Sequence, residues 1–196
     1  MDVRVIATGY TKKQRAAGKW GVSFLIEDVL FDTFGDEQTL LNNLGKMKIS
    51  PQKIKYLAVS HDHWDHTAGL EKILKLNSKI KVFICAGSSR ELKNKLVKNS
   101  AQIIEVKNKV KIKKNIFSSG QIQGTYDGKT IFEQSLVCKT KKGLVVITGC
   151  AHPGVMKILN YVRGNFREPL YALVGGFHLN QMPKEYIEAV SYTHLT

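Results

Sequence analysis

The chain has 196 residues, 43% of them hydrophobic, and carries 30 Lys and Arg against 16 Asp and Glu, for a formal net charge of +14. A chain of this length buries roughly 70% of its unfolded surface, so the composition predicts one globular domain over residues 1–190 and excludes intrinsic disorder. Three widely spaced cysteines, Cys85, Cys138 and Cys150, exclude a disulfide scaffold and fit a reducing, cytoplasmic setting, and no stretch approaches the ~20 apolar residues that span a membrane.

In chain order, VRVIATG and VSFLIEDVLFDT read as early strands, separated by a basic loop from Thr11 to Trp20. Glu37 to Leu44 reads as a short amphipathic helix stopped by Gly45. KIKYLAVS follows as a buried strand, and directly after it stands His61-Asp62-His63-Trp64-Asp65-His66. Leu70, Ile73 and Leu74 then share a helical face, so the histidines fall in a strand-to-helix loop. KIKVFIC predicts a strand, SSRELKNKLVKN a basic helix, and VKNKVKIKKNIF one or two exposed strands.

Farther on, GTYDGKT is one residue short of a phosphate loop and runs into strand-like IFEQSLV, so it reads as a hairpin turn. SLVCKTKKGLVVITGC reads as a second hairpin, turning near Lys142-Gly143. A helix from Pro153 to Val162 follows, with Pro153 in its first turn. PLYALVGGFHL closes the pattern as a buried strand ending at Gly175-Gly176, with His178 just beyond. Strands alternating with helices predict an α/β architecture, without a linker or an internal repeat.

The chemistry gathers at the strand ends. In extended backbone, side chains alternate with period two, so His61 and His63 point to one side and can grip one ion. Asp65 and His66 follow where the chain enters a helix, and can serve a second ion beside the first. Imidazole with carboxylate suits zinc, or iron and manganese where oxygen dominates. The blander alternative makes His61 and His63 solvent-facing and Asp65 a helix N-cap. Taken singly, His152 and His178 are ordinary hydrogen-bonded loop histidines.

The segment SHDHWDHTAGL resembles the metallo-β-lactamase superfamily, whose H-x-H-x-D-H follows a strand and precedes a helix. VLFDTFGDEQTLLNNL, GLVVITGCAHPGV and YALVGGFHL extend the resemblance over most of the chain. Within the superfamily these segments are similar to dihydropterin-ribofuranosylaminobenzene phosphate synthases and their relatives. The resemblance implies an αββα sandwich, an α+β arrangement, holding two divalent metal ions, with zinc favoured. It assigns His61, His63 and His152 to one ion and Asp65, His66 and His178 to the other, with Asp32 orienting a ligand histidine. Two ions roughly 3.5 to 4 Å apart hold a hydroxide that attacks a polarised carbonyl or phosphoryl group, and Asp65 acts catalytically by orienting it.

Two departures accompany the resemblance. Many members carry a metal-bridging Asp after the Gly that matches Gly149, where this chain has Cys150. A thiolate there can bind zinc, and a small Cys can equally pack in a core. Relatives of this branch also continue beyond G-G-F-H-L into an H-C-T-G segment, so the sandwich is expected to lack its last elements. Ser191 to Thr196 read as a non-native tail, which discounts His194 as a ligand.

Between Lys72 and Lys114, 13 Lys or Arg face only Glu91 and Glu105. This stretch, with Lys109, Lys111 and Lys113 as its exposed stripe, is a candidate for steering a small anionic substrate, phosphorylated substrates included; a solvated lysine face is the alternative. The function expected is a metal-dependent hydrolase or related transferase. A nucleic-acid-processing member and a non-catalytic metal-binding relative are the competing readings. Phe83 is the only aromatic residue of the basic stretch, which disfavours nucleic acid by denying it a stacking platform.

Overall fold

The computed structural model describes residues 1–9, 11–99, 102–179, 184, 185, 187 and 188. Strands β1 (Val3–Gly9), β2 (Gly21–Ile26), β3 (Val29–Phe31), β4 (Tyr56–Ala58), β5 (Lys81–Cys85) and β6 (Gln102–Val106) form one sheet in that order. The first three pair antiparallel and β3 to β6 run parallel. A second sheet has the order β13 (Leu170–Gly175), β12 (Gly143–Thr148), β11 (Leu136–Thr140), β8 (Ile116–Ser118), β7 (Val110–Lys113). The hairpin of β9 (Ile122–Tyr126) and β10 (Lys129–Glu133) stands apart from both.

Side-chain alternation along β2 and β3 sorts the core into layers. Leu25 and Leu30 join the side chains of α2 (Glu37–Lys46), α4 (Leu70–Leu76) and α5 (Arg90–Lys98) on the outer face of the first sheet. Phe24, Ile26, Val29 and Phe31 meet Ile116, Leu136, Cys138 and Ile147 of the second sheet. Val137, Leu144 and Val146 of that sheet pack outward on Val155, Ile158, Leu159 and Val162 of α6 (Val155–Asn165). The result is helix, sheet, sheet, helix, the architecture that follows from burying both faces of each sheet.

Several elements differ locally from the sequence pattern. VSFLIEDVLFDT is two strands, because Glu27 takes φ 57° and turns β2 back onto β3. Gly45 lies inside α2; the stop is supplied by Lys48, at φ 56°, with Ile49 N–H reaching back to the Leu44 carbonyl at 2.9 Å. Pro153 lies before α6, whose entry is set by Gly154 at φ 91°, and the helix runs on to Asn165. The lysine-rich stretch is not simply an exposed ribbon, since Ile112 and Ile116 enter the core between the sheets. Cys85 and Cys138 are fully buried, and burial pushes both thiols to higher pKa. Ser191–Thr196, with His194, lie outside the described residues.

Candidate metal centre

The loop leaving β4 carries the histidine cluster along the sheet edge, where parallel strands end and their loops converge. His61 and His66 are buried, Asp65 is nearly so, and His63 is half-buried at the start of the single-turn helix α3 (Trp64–Thr67). His63 is the residue at the N-cap position, so Asp65 is not the cap. His61 and His63 do face one another, with Nε2 and Nδ1 3.1 Å apart. Asp62 turns away and accepts from the Ser89 N–H, while Trp64 stays half exposed.

Asp32 follows β3 in the left-handed region at φ 59° and is fully buried. Its Oδ1 accepts from the Ser60 N–H at 2.6 Å, and its Oδ2 from the Ser60 hydroxyl at 2.7 Å and from His66 Nδ1 at 2.6 Å. A carboxylate only accepts, so His66 Nδ1 carries a proton in either charge state, and Nε2, the nitrogen open to a ligand once the ring is neutral, faces Cys150 Sγ at 3.1 Å. The single Ser60 proton is committed to Asp32, so Ser60 Oγ accepts from His61 Nδ1 at 2.9 Å and frees His61 Nε2 as well. One buried carboxylate thereby fixes the tautomers of two histidines. Gly149 is needed beside it, because a Cβ there would lie 2.1 Å from Ser60 Oγ.

The loop after β12 brings Cys150 and His152 to this cluster, with Ala151 between them at φ 59°. Glu133, at the end of β10, accepts from three successive backbone N–H groups of that loop: Cys150 at 3.0 Å, Ala151 at 2.9 Å and His152 at 2.9 Å. Sequence reasoning missed Glu133, which looks like any strand carboxylate until the tertiary fold delivers its partners. His178 lies with its ring 4.9 Å from that of His152, and Tyr126 packs on His63, His152 and His178 at 4.7, 4.9 and 5.8 Å.

Two groups of side chains bring their ligand atoms within 4.8 Å of one another: His61, Cys150 and His152, and Asp65, His66 and Cys150. Cys150 Sγ belongs to both. His63 lies at the edge of the first group through its contact with His61. His178 enters neither group, and Cys150 is the third member of the second.

The donor set fits a soft-to-borderline divalent ion such as zinc. One observation supports this in particular: His152 Nε2 is buried without a hydrogen-bond partner among the described residues, and an orphaned buried nitrogen is costly unless something binds it. Burial and neighbouring imidazoles hold His61 well below its usual pKa and His152 down to about 3, so both lone pairs stay available at neutral pH. Burial also opposes charge on His66, but Asp32, then Cys150 and the hydrogen bonds from Asp32 and Asp65, raise it well above the ordinary value. Burial pushes the Cys150 thiol up.

The cluster opens into a cleft of about 420 Å³ bordered by Trp20, Trp64, Tyr126 and Leu179, and among the described residues Arg15 is the one Arg or Lys on its wall. Arg15 lies on α1 (Lys12–Ala16) with its guanidinium 5.7 Å from the Trp20 ring centre. Lys109, Lys111 and Lys113 do not line this cleft. Lys113 is paired with Glu27 and Asp28, and Lys109 donates to the Asn165 carbonyl at 2.6 Å. Lys109 and Lys113 therefore serve local contacts, Lys111 is exposed, and the cation at the cleft comes from the Thr11–Trp20 loop.

A model of the metallo-β-lactamase superfamily matches residues 21–177. The chain is 27% identical to a 7,8-dihydropterin-6-methyl-4-(β-D-ribofuranosyl)-aminobenzene-5'-phosphate synthase of Methanocaldococcus jannaschii, covering 85% of this chain and 73% of the relative. Among solved structures it is similar to a metal-dependent hydrolase of the β-lactamase superfamily, with TM-score 0.75 and 27% identity over 97% of this chain and 81% of that one. The short form of human tRNase Z shares the fold alone, with TM-score 0.56 at 17% identity, covering 82% and 73% of the two chains. No helix among the described residues is long and apolar enough to cross a membrane.

Proposed function

The chain belongs to the metallo-β-lactamase superfamily, and we propose that within it this protein is a dinuclear metal-dependent hydrolase, or a related group-transfer enzyme, acting on a small anionic substrate. The observation that carries the reading is the convergence of the two ligand groups on one thiol, Cys150, beside an orphaned His152 nitrogen. When bound, two divalent ions, zinc favoured, supply Lewis acidity and an activated water at neutral pH. His61, His152 and Cys150 would hold one ion with His63 beside them; Asp65, His66 and Cys150 would hold the other. His178, whose ring packs on His152, would complete the set.

The remaining roles belong to the chain itself. Asp65 has a carboxylate held low by its contact with His66 despite burial, so it is ionised and suited to orient the attacking water by accepting a hydrogen bond from it. Arg15 faces the cleft and binds the substrate's anionic group, while Trp20 and Trp64 form the walls. Tyr126 closes the floor over three of the histidines.

Elemental analysis of protein purified without chelator tests this reading, with about two ions per chain expected. Hydrolysis of p-nitrophenyl phosphate esters should disappear on chelation and return with zinc. A chain holding less than one ion, with turnover indifferent to chelators, would overturn it.

A further inference from the structure

The segment Glu133-Gln134-Ser135 is among the most buried polar stretches of the described chain, each residue at most 1% exposed. It joins β10 to β11 and lies between the two loops that carry the candidate ligands. Gln134 ties one side: its N–H donates to the Ser60 carbonyl at 2.9 Å, and its Nε2 donates to the carbonyls of Val59 at 2.8 Å and Phe83 at 3.0 Å. Its Oε1 is filled by the Ser118 hydroxyl at 2.6 Å. Glu133 ties the other side through the three N–H groups of residues 150–152.

We propose that Glu133 is a positioning residue that shapes the Cys150–His152 loop and, through its neighbour Gln134, fixes the spacing between that loop and the His61 loop. Three consecutive N–H groups converging on one anion form a backbone nest, and the left-handed Ala151 is the conformation that makes them converge. An external anion would fill such a nest in a binding protein; here the chain fills it from within. The carboxylate geometry is specific, since Oε1 serves two N–H groups and Oε2 serves the third. An amide at this position has a single acceptor oxygen, so at least one N–H would face an NH2 group. The loop could then no longer hold Cys150 Sγ between the two ligand groups. This inference rests on the metal-centre reading for its consequence, but the loop shape itself does not.

Glu133→Gln in the full chain tests it with two readouts. The first is the spectrum and affinity of the cobalt-loaded protein, whose thiolate-to-cobalt charge-transfer band reports Cys150 directly. The second is the rate at which Ellman's reagent labels Cys150 in chelated protein. Cys85 and Cys138 are fully buried, so their protection reports that the variant is folded. The expected result is a weakened charge-transfer band, cobalt affinity lower by about tenfold or more, and faster labelling of Cys150 alone. An unchanged band together with an unchanged labelling rate would overturn the proposal. If wild-type protein binds neither zinc nor cobalt, the metal-centre reading fails, and the labelling rate by itself decides the role of Glu133. Should all three thiols react in Glu133→Gln, Glu133→Asp, which keeps the charge and withdraws it by one methylene, replaces it under the same outcomes.

Discussion

Replacing Asp32 by Asn changes a single atom in a site that is fully buried, and its effect can be followed proton by proton. Oδ1 must remain an acceptor, because the backbone N–H of Ser60 at 2.6 Å cannot reverse its polarity. The new NH2 group therefore faces Ser60 Oγ and His66 Nδ1. His66 must then present a lone pair at Nδ1 and carry its proton on Nε2, the nitrogen aimed at Cys150. Ser60 Oγ now receives a proton from Asn and donates its own to His61 Nδ1, so His61 is inverted as well. Both nitrogens needed as ligands are blocked by one substitution. Loss of such an outer hydrogen-bond partner lowers metal affinity by about 10–100-fold, which corresponds to ~1.4–2.7 kcal/mol. Loss of the charge-assisted bond to His66 also costs apo-protein stability by about 1–3 kcal/mol. Zinc competition against a chromophoric chelator measures the first effect, and urea unfolding of chelated protein measures the second. Zinc affinity within about threefold of wild type would refute the tautomer relay, since an inverted imidazole cannot ligate at the same nitrogen.

Cys150→Ala should remove ligand capacity from both groups and lower zinc content at both, whereas Cys150→Asp, restoring the residue common in the wider superfamily, should retain zinc; equal zinc content in all three proteins would exclude Cys150 as a ligand. Zinc binding at pH 7 should release at least two protons per chain, one from His66, whose pKa is raised, and one from the Cys150 thiol, with ionisation of a metal-bound water adding to them, while His61, His63 and His152 are already neutral. Calorimetric titration in buffers of different ionisation enthalpy reads this number directly, and an uptake of protons would contradict the assigned protonation states. Arg15→Gln should raise the KM for p-nitrophenyl phosphate by about 5–10-fold without changing zinc content, an effect that shrinks with salt. The triple change of Lys109, Lys111 and Lys113 to Gln should leave KM nearly unaltered; the reverse ranking would return the anion-binding role to the lysine stripe.

The sequence by itself determined the α/β class and the ligand-bearing loop, while the layered sandwich was expected only from the family resemblance. In β2 and β3, where every residue is buried, the sequence does not mark which side chains meet helices and which meet the other sheet. The buried strand before His61 and the helical face after His66 place His61, His63, Asp65 and His66 at a strand end and helix start. Those are local consequences of backbone geometry, legible within a few residues. Turn details were less legible where a non-glycine residue takes the left-handed region, as Glu27 and Lys48 do, since no glycine announces it.

Only the tertiary structure decided how the ligands group and what holds them. Cys150 is 84 positions from His66, and its membership in both groups depends on β12 lying next to the loop that follows β4 across the sandwich. Glu133 acquires its role from three N–H groups 17 to 19 positions away. Arg15 joins the cleft because α1 folds over Trp20, while in the richer lysine run Lys113 pairs with Glu27 and Asp28, Lys93 with Glu105 and Lys95 with Glu71. Periodicity reports which face a residue occupies; which two faces meet, and which buried polar groups then satisfy one another, is fixed only when the sheets pack.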